Sequence, residues 1–404
     1  MNNSEPQSKA LRVVLAGGGT GGHVFPALAV ATELRRMRPG IGLLYIGGDR
    51  LEARLAPEAG LRFRAISVHG VAGRGLAGWP RRMRAALELA LLIPLFQSLR
   101  ELKRFRPHVV IGTGGYVSGP VLLAARLRRI PSLAVEGNRV AGLTSRAVAR
   151  LVDVMAVVST KEAAFFSPCL RRDASVAVTG LPVRTGITDL SREEGASALG
   201  LDPSQTTLLI LGGSLGSKRI NQAAVGAIRL LAGAQGKLEG LQIIHVTGER
   251  GPLAFDPGEG AAVAPGYQAR SFLAEYPEAL AAADVVVCRG GASTLAEVAA
   301  RGLPSIIIPW SQASTGEQAK NADPFARAGA AVVIPDDELT DERLGAALRA
   351  LLWDTARREA MARAARLLGR PEAAARVAEI ALRLAEGVTD GKRYASGGSG
   401  GRSA

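Results

Sequence analysis

The chain predicts an α/β protein built from two doubly wound, Rossmann-like domains. Three observations carry this. Short apolar strand-like runs alternate with helical segments along the whole chain, the pattern of parallel sheets covered by helices. The opening sequence of strand, glycines, hydroxyl residue, glycine and helix at Leu15–Gly22 recurs at Leu208–Gly216. And 404 residues, 47% of them hydrophobic, are enough for two separate cores.

The first half predicts strands at Arg12–Ala16, Leu43–Gly47, Val109–Gly112, Ser132–Val135, Val154–Val158 and Val176–Thr179. The second predicts them at Thr207–Leu211, Gln242–Val246, Val285–Cys288, Ser305–Ile308 and Ala331–Ile334. Most are β-branched and apolar throughout, as in parallel sheets buried on both faces. A helix is expected over Ala27–Met37. Residues 1–10 read as a disordered N-terminus without a signal peptide's apolar core, and 11–181 as the first domain. Residues 182–369 read as the second domain, with its start near Leu181-Pro182-Val183-Arg184. Residues 370–387 read as a helix returning to the first domain, and 388–404 as a disordered Gly/Ser-rich tail.

Charge is distributed unevenly. Residues 1–182 carry 26 basic and 11 acidic side chains, whereas residues 183–404 carry 24 and 25. A one-sided basic surface implies an anionic partner: nucleic acid, anionic lipid or a phosphorylated substrate. Two distant cysteines, Cys169 and Cys288, give neither a disulfide framework nor a zinc spacing and fit a reducing compartment. No apolar run reaches the ~18 residues of a membrane span.

Four glycine-rich turns follow strands: Gly17-Gly18-Gly19-Thr20-Gly21-Gly22, Gly112-Thr113-Gly114-Gly115-Tyr116-Val117-Ser118, Gly212-Gly213-Ser214-Leu215-Gly216 and Arg289-Gly290-Gly291-Ala292-Ser293-Thr294. Glycine lets backbone approach a ligand closely, and free N–H groups at a helix start attract phosphate. One such turn serves packing as readily as binding. Four of them, in both halves, point to ligand sites at strand ends. The first also matches G-x-G-x-x-G, the dinucleotide pattern of an oxidoreductase. That reading expects an acid at the end of the second strand, where Gly47-Gly48 stands and Asp49 comes late.

His23 lies at a helix N-terminus, which disfavours imidazolium and suits a general base. Its plainer reading is a capping or phosphate-bonding histidine. Glu297 has two readings: a capping box in Thr294-Leu295-Ala296-Glu297, or a carboxylate accepting from ribose hydroxyls. Residues 74–106 interleave eight basic residues with Leu76, Trp79, Met83, Leu87, Leu91, Leu92, Ile93, Leu95 and Phe96. This suits an interfacial segment on an anionic membrane, through Trp79, Arg81, Arg82, Met83, Leu91, Leu92 and Phe96, although an ordinary amphipathic helix has the same pattern. There is no Asp-x-Asp motif. Helix N-termini and cationic side chains would then hold a diphosphate leaving group in place of a dedicated metal site.

Several motifs in fixed order resemble one bacterial family. They are Gly18-Gly19-Thr20-Gly21-Gly22-His23-Val24-Phe25-Pro26, Gly114-Gly115-Tyr116-Val117-Ser118-Gly119-Pro120, Ala141-Gly142-Leu143-Thr144, Pro182-Val183-Arg184, Gly212-Gly213-Ser214 and Ala282-Ala283-Asp284-Val285-Val286-Val287-Cys288-Arg289. The family is MurG, the N-acetylglucosaminyltransferases that convert lipid I to lipid II in peptidoglycan synthesis, and with it serve cell-wall biogenesis, cell shape and division. The resemblance runs from about Leu11 to about Leu384.

The resemblance implies a GT-B glycosyltransferase fold, two Rossmann-like domains with an inter-domain cleft, and inverting transfer from UDP-N-acetylglucosamine (UDP-GlcNAc). It implies donor contacts at Thr20, Gly21, Gly22, Asn138, Arg184, Ser214, Leu273, Ala292, Ser293, Thr294, Leu295, Ala296, Glu297, Gln318 and Asn321. Within these, the Leu273 backbone would hold uracil, Glu297 the ribose, Ser214 with Ala292–Thr294 the diphosphate, and Gln318 with Asn321 the sugar. Acceptor contacts would fall at Gly18, Gly19, Gly114, Gly115, Tyr116 and Ser118. His23 is the first candidate for the base and Glu136 the second. No cofactor or metal is required, while stimulation by a divalent cation stays open. The implied partners are UDP-GlcNAc, lipid I, an anionic membrane surface and other cell-wall synthesis proteins, with no nucleic acid. The implied place is the cytoplasmic face of the cell membrane, as a peripheral protein.

Two departures stand out. The family commonly has His-Glu-Gln-Asn where this chain has Val135-Glu136-Gly137-Asn138, so only Glu136 and Asn138 carry over. Glu317 precedes Gln318 where many relatives have His or Gln. Two rivals remain: a transferase that glycosylates diacylglycerol on the same fold, and a UDP-sugar-binding protein that has lost catalysis.

Overall fold

The computed structural model describes residues 10–68, 81–140, 142–213, 216–233, 238–248, 264–312 and 316–387, with 81–91 and 143 described by backbone alone. The chain divides into two compact units. The first comprises Met1–Gly137, Ala141–Pro182 and Glu372–Ala404, and the second Asn138–Val140 and Val183–Pro371.

The first unit holds strands β1 (Arg12–Ala16), β2 (Gly42–Gly47), β3 (Arg62–Ala65), β4 (Val109–Gly112), β5 (Ser132–Glu136), β6 (Val154–Val157) and β7 (Ser175–Val178). They form one sheet in the order β3-β2-β1-β4-β5-β6-β7, with every pairing parallel. Its helices are α1 (Gly21–Met37), α2 (Leu51–Glu58), α3 (Arg81–Phe105), α4 (Ser118–Leu127), α5 (Leu143–Ala149) and α6 (Thr160–Phe166). Val14 and Ala16 of β1, Val110 of β4 and Ala134 of β5 share a buried cluster with Leu102 of α3 and Val121 and Leu122 of α4.

The second unit holds β8 (Thr206–Leu211), β9 (Leu241–Val246), β10 (Gly266–Arg270), β11 (Val285–Cys288), β12 (Ser305–Ile307) and β13 (Ala331–Val333), in the order β10-β9-β8-β11-β12-β13 and again all parallel. Its helices are α7 (Arg192–Leu199), α8 (Lys218–Gly233), α9 (Tyr276–Ala282), α10 (Ala292–Arg301), α11 (Glu317–Arg327), α12 (Asp341–Leu352) and α13 (Thr355–Leu368). A strand turns successive side chains to opposite faces. Leu208 and Ile210 accordingly pack in one core with α8 and α12, while Leu209 and Leu211 pack in the other with α7, α9 and α10. The last helix, α14 (Ala373–Ala385), belongs to the first unit and packs on α1.

The sheets depart from expectation at two edges. β3 and β10 were not anticipated. Both are edge strands, partnered on one side only, so their sequences Arg-Phe-Arg-Ala and Gly-Tyr-Gln-Ala-Arg lack the doubly buried apolar pattern. Helix α1 also starts six residues before the expected Ala27. Thr20 is its N-cap, and Pro26 lies buried inside it.

Strand order reverses between β1 and β4 in the first sheet, and between β8 and β11 in the second. Those are the switch points at which open α/β sheets bind ligands. All four glycine-rich turns follow these four strands.

Candidate functional site

In the first unit, the turn after β1 and the turn after β4 pack directly on one another. Gly114 and Gly115 have φ of +104° and +77°, a region costly for other residues. A Cβ on Gly115 would lie 2.2 Å from the Gly18 carbonyl oxygen, and one on Gly114 would lie 2.5 Å from His23 Nδ1. Gly18, Gly114, Gly115 and His23 are thus brought together. Ser118 is buried, and its hydroxyl stands 2.8 Å from the Ala16 carbonyl while accepting from the Gly114 N–H at 3.0 Å. It pins the second turn to β1. Tyr116 stands exposed on that turn.

His23 is the third residue of α1. Its Nδ1 lies 3.1 Å from the Thr113 carbonyl, while the Thr113 hydroxyl donates to the His23 carbonyl at 2.7 Å. A carbonyl only accepts, so Nδ1 carries the proton and Nε2 keeps the lone pair. Burial lowers the histidine's pKa below its ordinary 6.5, against opposing contributions from the Thr113 bond and from the charges of Glu136 and Glu52. The direction is the one the sequence suggests, with burial as the largest cause. Glu136 ends β5, and its carboxylate accepts from the Ser145 hydroxyl of α5. Sequence reasoning passed over Glu52, which lies beneath the first glycine turn. It stands three residues beyond Asp49, on α2.

In the second unit, Glu297 is not part of a capping box. Helix α10 begins at Ala292 with Gly291 as its N-cap, so Thr294 is already inside it and Glu297 lies in mid-helix. Glu297 is 2% exposed and its Oε1 stands 3.0 Å from Arg184 Nε, while the Arg184 guanidinium lies 3.9 Å from the centre of the Tyr276 ring. Burial raises the Glu297 pKa and the Arg184 charge lowers it. Hydrogen bonds from Tyr276 and from the Arg184 backbone lower it as well.

Ala292, Ser293 and Thr294 form the first turn of α10, with Leu295 and Ala296 following, and that turn carries no acidic residue and no side-chain cap. Leu273 is buried. Gln318 is the second residue of α11, and its Oε1 accepts from the Trp310 N–H at 3.0 Å. Asn321 is buried and turned inward. It donates to the Gly290 carbonyl at 3.1 Å and to Asn138 Oδ1 at 3.3 Å, and accepts from the Arg139 N–H at 3.0 Å. Its amide holds residues 138–139 against the turn after β11. Arg289 ties that turn to the start of α8 through Ser217 Oγ at 2.6 Å, and to the segment after β13 through Asp336 Oδ1 at 2.5 Å.

Ser214 and Trp79 lie outside the described residues, as do the side chains of Arg81, Arg82, Met83 and Leu91. Leu92 and Phe96 of α3 are exposed, together with Ile93. Among the described residues no three His, Cys, Asp or Glu side chains group as a metal site, and no helix is long and apolar enough to cross a membrane.

Two family models match the chain. Residues 13–157 match the glycosyltransferase family 28 N-terminal domain, and residues 207–377 match the family 28 C-terminal domain. Fold and matches together define the class: a glycosyltransferase of the GT-B fold. Two similar relatives are the UDP-N-acetylglucosamine–N-acetylmuramyl-(pentapeptide) pyrophosphoryl-undecaprenol N-acetylglucosamine transferases of Desulforudis audaxviator and Moorella thermoacetica. The first is 42% identical and the second 40%, each over 93% of this chain and at least 99% of the relative. The crystal structure of Acinetobacter baumannii MurG is similar at a TM-score of 0.66 and 28% identity, over 93% of this chain and all of that one. The chain belongs to the family of these N-acetylglucosamine transferases.

Proposed function

We infer that this protein transfers N-acetylglucosamine from UDP-GlcNAc to the C4 hydroxyl of N-acetylmuramic acid in undecaprenyl-diphospho-muramoylpentapeptide, with inversion, converting lipid I to lipid II. One observation carries the mechanism. His23 is held with Nδ1 protonated and Nε2 basic, at a switch point, among glycines that allow close approach. Nε2 takes the proton of the C4 hydroxyl as its oxygen attacks the anomeric carbon. The bond from that carbon to the UDP oxygen breaks on the opposite face. Glu136 is the second candidate for this base.

The second unit is the donor side in this reading. Glu297 accepts from the ribose hydroxyls in this reading, its carboxylate held in place by Arg184. The first turn of α10 (Ala292, Ser293, Thr294) and Ser214 receive the departing diphosphate, whose charge the helix N-terminus favours. The Leu273 backbone reads uracil, Gln318 reads the sugar hydroxyls, and Asn321 supports them by fixing Asn138. Thr20, Gly21, Gly22 and Arg184 complete the donor contacts. Gly18, Gly19, Gly114, Gly115 and Tyr116 receive the acceptor. The basic first half and exposed Leu92, Ile93 and Phe96 support peripheral binding to an anionic membrane at the cytoplasmic face.

Acceptor competition tests this. Labelled UDP-GlcNAc is offered with a short-chain lipid I analogue or with diacylglycerol, each with and without chelator. The reading expects label in the lipid I analogue alone. Label in diacylglycerol, or in neither, would overturn it.

A further inference from the structure

Glu52 takes no part in the reaction as derived, yet it is buried, 1% exposed, on α2 beneath the first glycine turn. Its Oε1 accepts from the Gly48 N–H at 2.9 Å and its Oε2 from the Gly19 N–H at 3.0 Å. The Gly19 N–H, which the sequence offers to an anion, is already bonded to the chain's own carboxylate. The surroundings leave no room for more. A Cβ on Gly18 would lie 2.3 Å from Glu52 Oε1, one on Gly47 2.6 Å from its Cγ, and one on Gly48 2.9 Å from Oε1. From β2, the Tyr45 hydroxyl donates to the Gly17 carbonyl at 3.1 Å. The turn is therefore held from beneath at two points, one through an N–H and one through a carbonyl. One residue beyond Gly19 stands Thr20, the N-cap of α1, and His23 follows in the helix's first turn.

We propose that Glu52 is a positioning residue: its carboxylate fixes the first glycine turn, and through it the start of α1, in the conformation that presents His23 to the acceptor hydroxyl. The proposal rests on the reading of His23 as the base. A carboxylate accepting from two backbone N–H groups makes charge-assisted bonds, stronger than neutral ones. A glutamine there would turn its NH₂ toward one of those N–H groups, donor against donor. The charges that bear on His23 are Glu136 at the end of β5 and Glu52 on α2, and Tyr45 of β2 faces Glu52. Both carboxylates favour the imidazolium formed when His23 takes the proton, so removing one weakens the base.

The test uses the full chain with Glu52→Gln, Glu52→Asp and His23→Ala, assayed well below each variant's melting temperature. In Glu52→Gln, kcat should fall about tenfold to a hundredfold, as for a misplaced catalytic group, with the UDP-GlcNAc KM unchanged. The acid limb of its kcat/KM profile should move to lower pH, and amide exchange at Gly19 and Gly48 should quicken. Glu52→Asp keeps the charge but falls a methylene short. It should lose kcat and Gly19 protection while its acid limb stays in place, and it decides the matter if the Gln variant does not fold. Wild-type kcat and Gly19 exchange in the folded variant would overturn the proposal. If His23→Ala loses turnover while the Glu52 variants behave as wild type, the proposal fails and the base reading stands. If His23→Ala keeps turnover, the base reading fails, and with it the role given to Glu52, while Gly19 exchange still reports whether Glu52 holds the turn.

Discussion

A neutral imidazole with one nitrogen spent and the other basic is what a hydroxyl-activating base must be at pH 7, and His23 has that form. His23→Ala should lower kcat by about 10²–10⁴, the usual worth of a general base, with little change in donor KM. Near-wild-type turnover would remove it from the chemistry. Because burial lowers its pKa, the wild-type acid limb should lie below pH 6.5, with activity lost as pH falls through the folded value. Glu297→Gln keeps the shape but removes the charge that Arg184 pairs with. Calorimetry should find UDP binding weakened about tenfold or more, roughly 1.4 kcal/mol per decade, and unchanged affinity would reject the ribose role. At this scale His23 and Glu297 stand out in the sequence as candidates, because each follows a glycine-rich turn at a strand end. Glu52 and the inward bonds of Asn321 do not. Their partners lie 33 and 31 residues away for Gly19 and Gly290, and only the tertiary fold brings them together.

The elements themselves were largely visible, since a strand buried on both faces must be apolar throughout. Edge strands β3 and β10 escaped that rule, and the start of α1 was hidden by Gly21, Gly22 and Pro26, which read as a turn. The Gln-Ile-Ile-His-Val run of β9 gave its position but not the pairing of its histidine. His245 Nδ1 accepts from the Tyr267 hydroxyl of β10 at 2.7 Å and its Nε2 donates to Asn221 Oδ1 of α8 at 3.1 Å, fully buried. Burial lowers its pKa to about 4. An unfolded chain binds this proton below pH 6.5 and the folded one does not, so stability is complete above that value and is lost as pH falls toward 4. The loss at pH 5 should be about 2 kcal/mol from this residue. Thermal unfolding at pH 7.5 and pH 5 checks it: the melting temperature of His245→Gln should fall less between the two than wild type's. An equal fall in both would assign the acid sensitivity elsewhere.

Across the whole molecule, two α/β units and a lopsided charge were evident from the amino acids alone. What the strand order added is that the four glycine turns fall at two switch points, a fact of topology that no local pattern contains. The charge has its own consequence. With 26 basic against 11 acidic residues in positions 1–182, and Leu92, Ile93 and Phe96 exposed at 45%, 42% and 65%, the protein should bind phosphatidylglycerol-containing vesicles and not neutral ones. Cosedimentation should weaken with salt as the charges are screened, and weaken further in Leu92→Ser/Phe96→Ser. Equal binding to neutral vesicles would exclude the electrostatic part. The central claim is inverting transfer to the muramoyl C4 hydroxyl. NMR of the product made from UDP-GlcNAc, whose glycosidic bond is α, and a soluble lipid I analogue tests it most directly. The account predicts a β-(1→4) disaccharide. An α-linked product, or none, would contradict it.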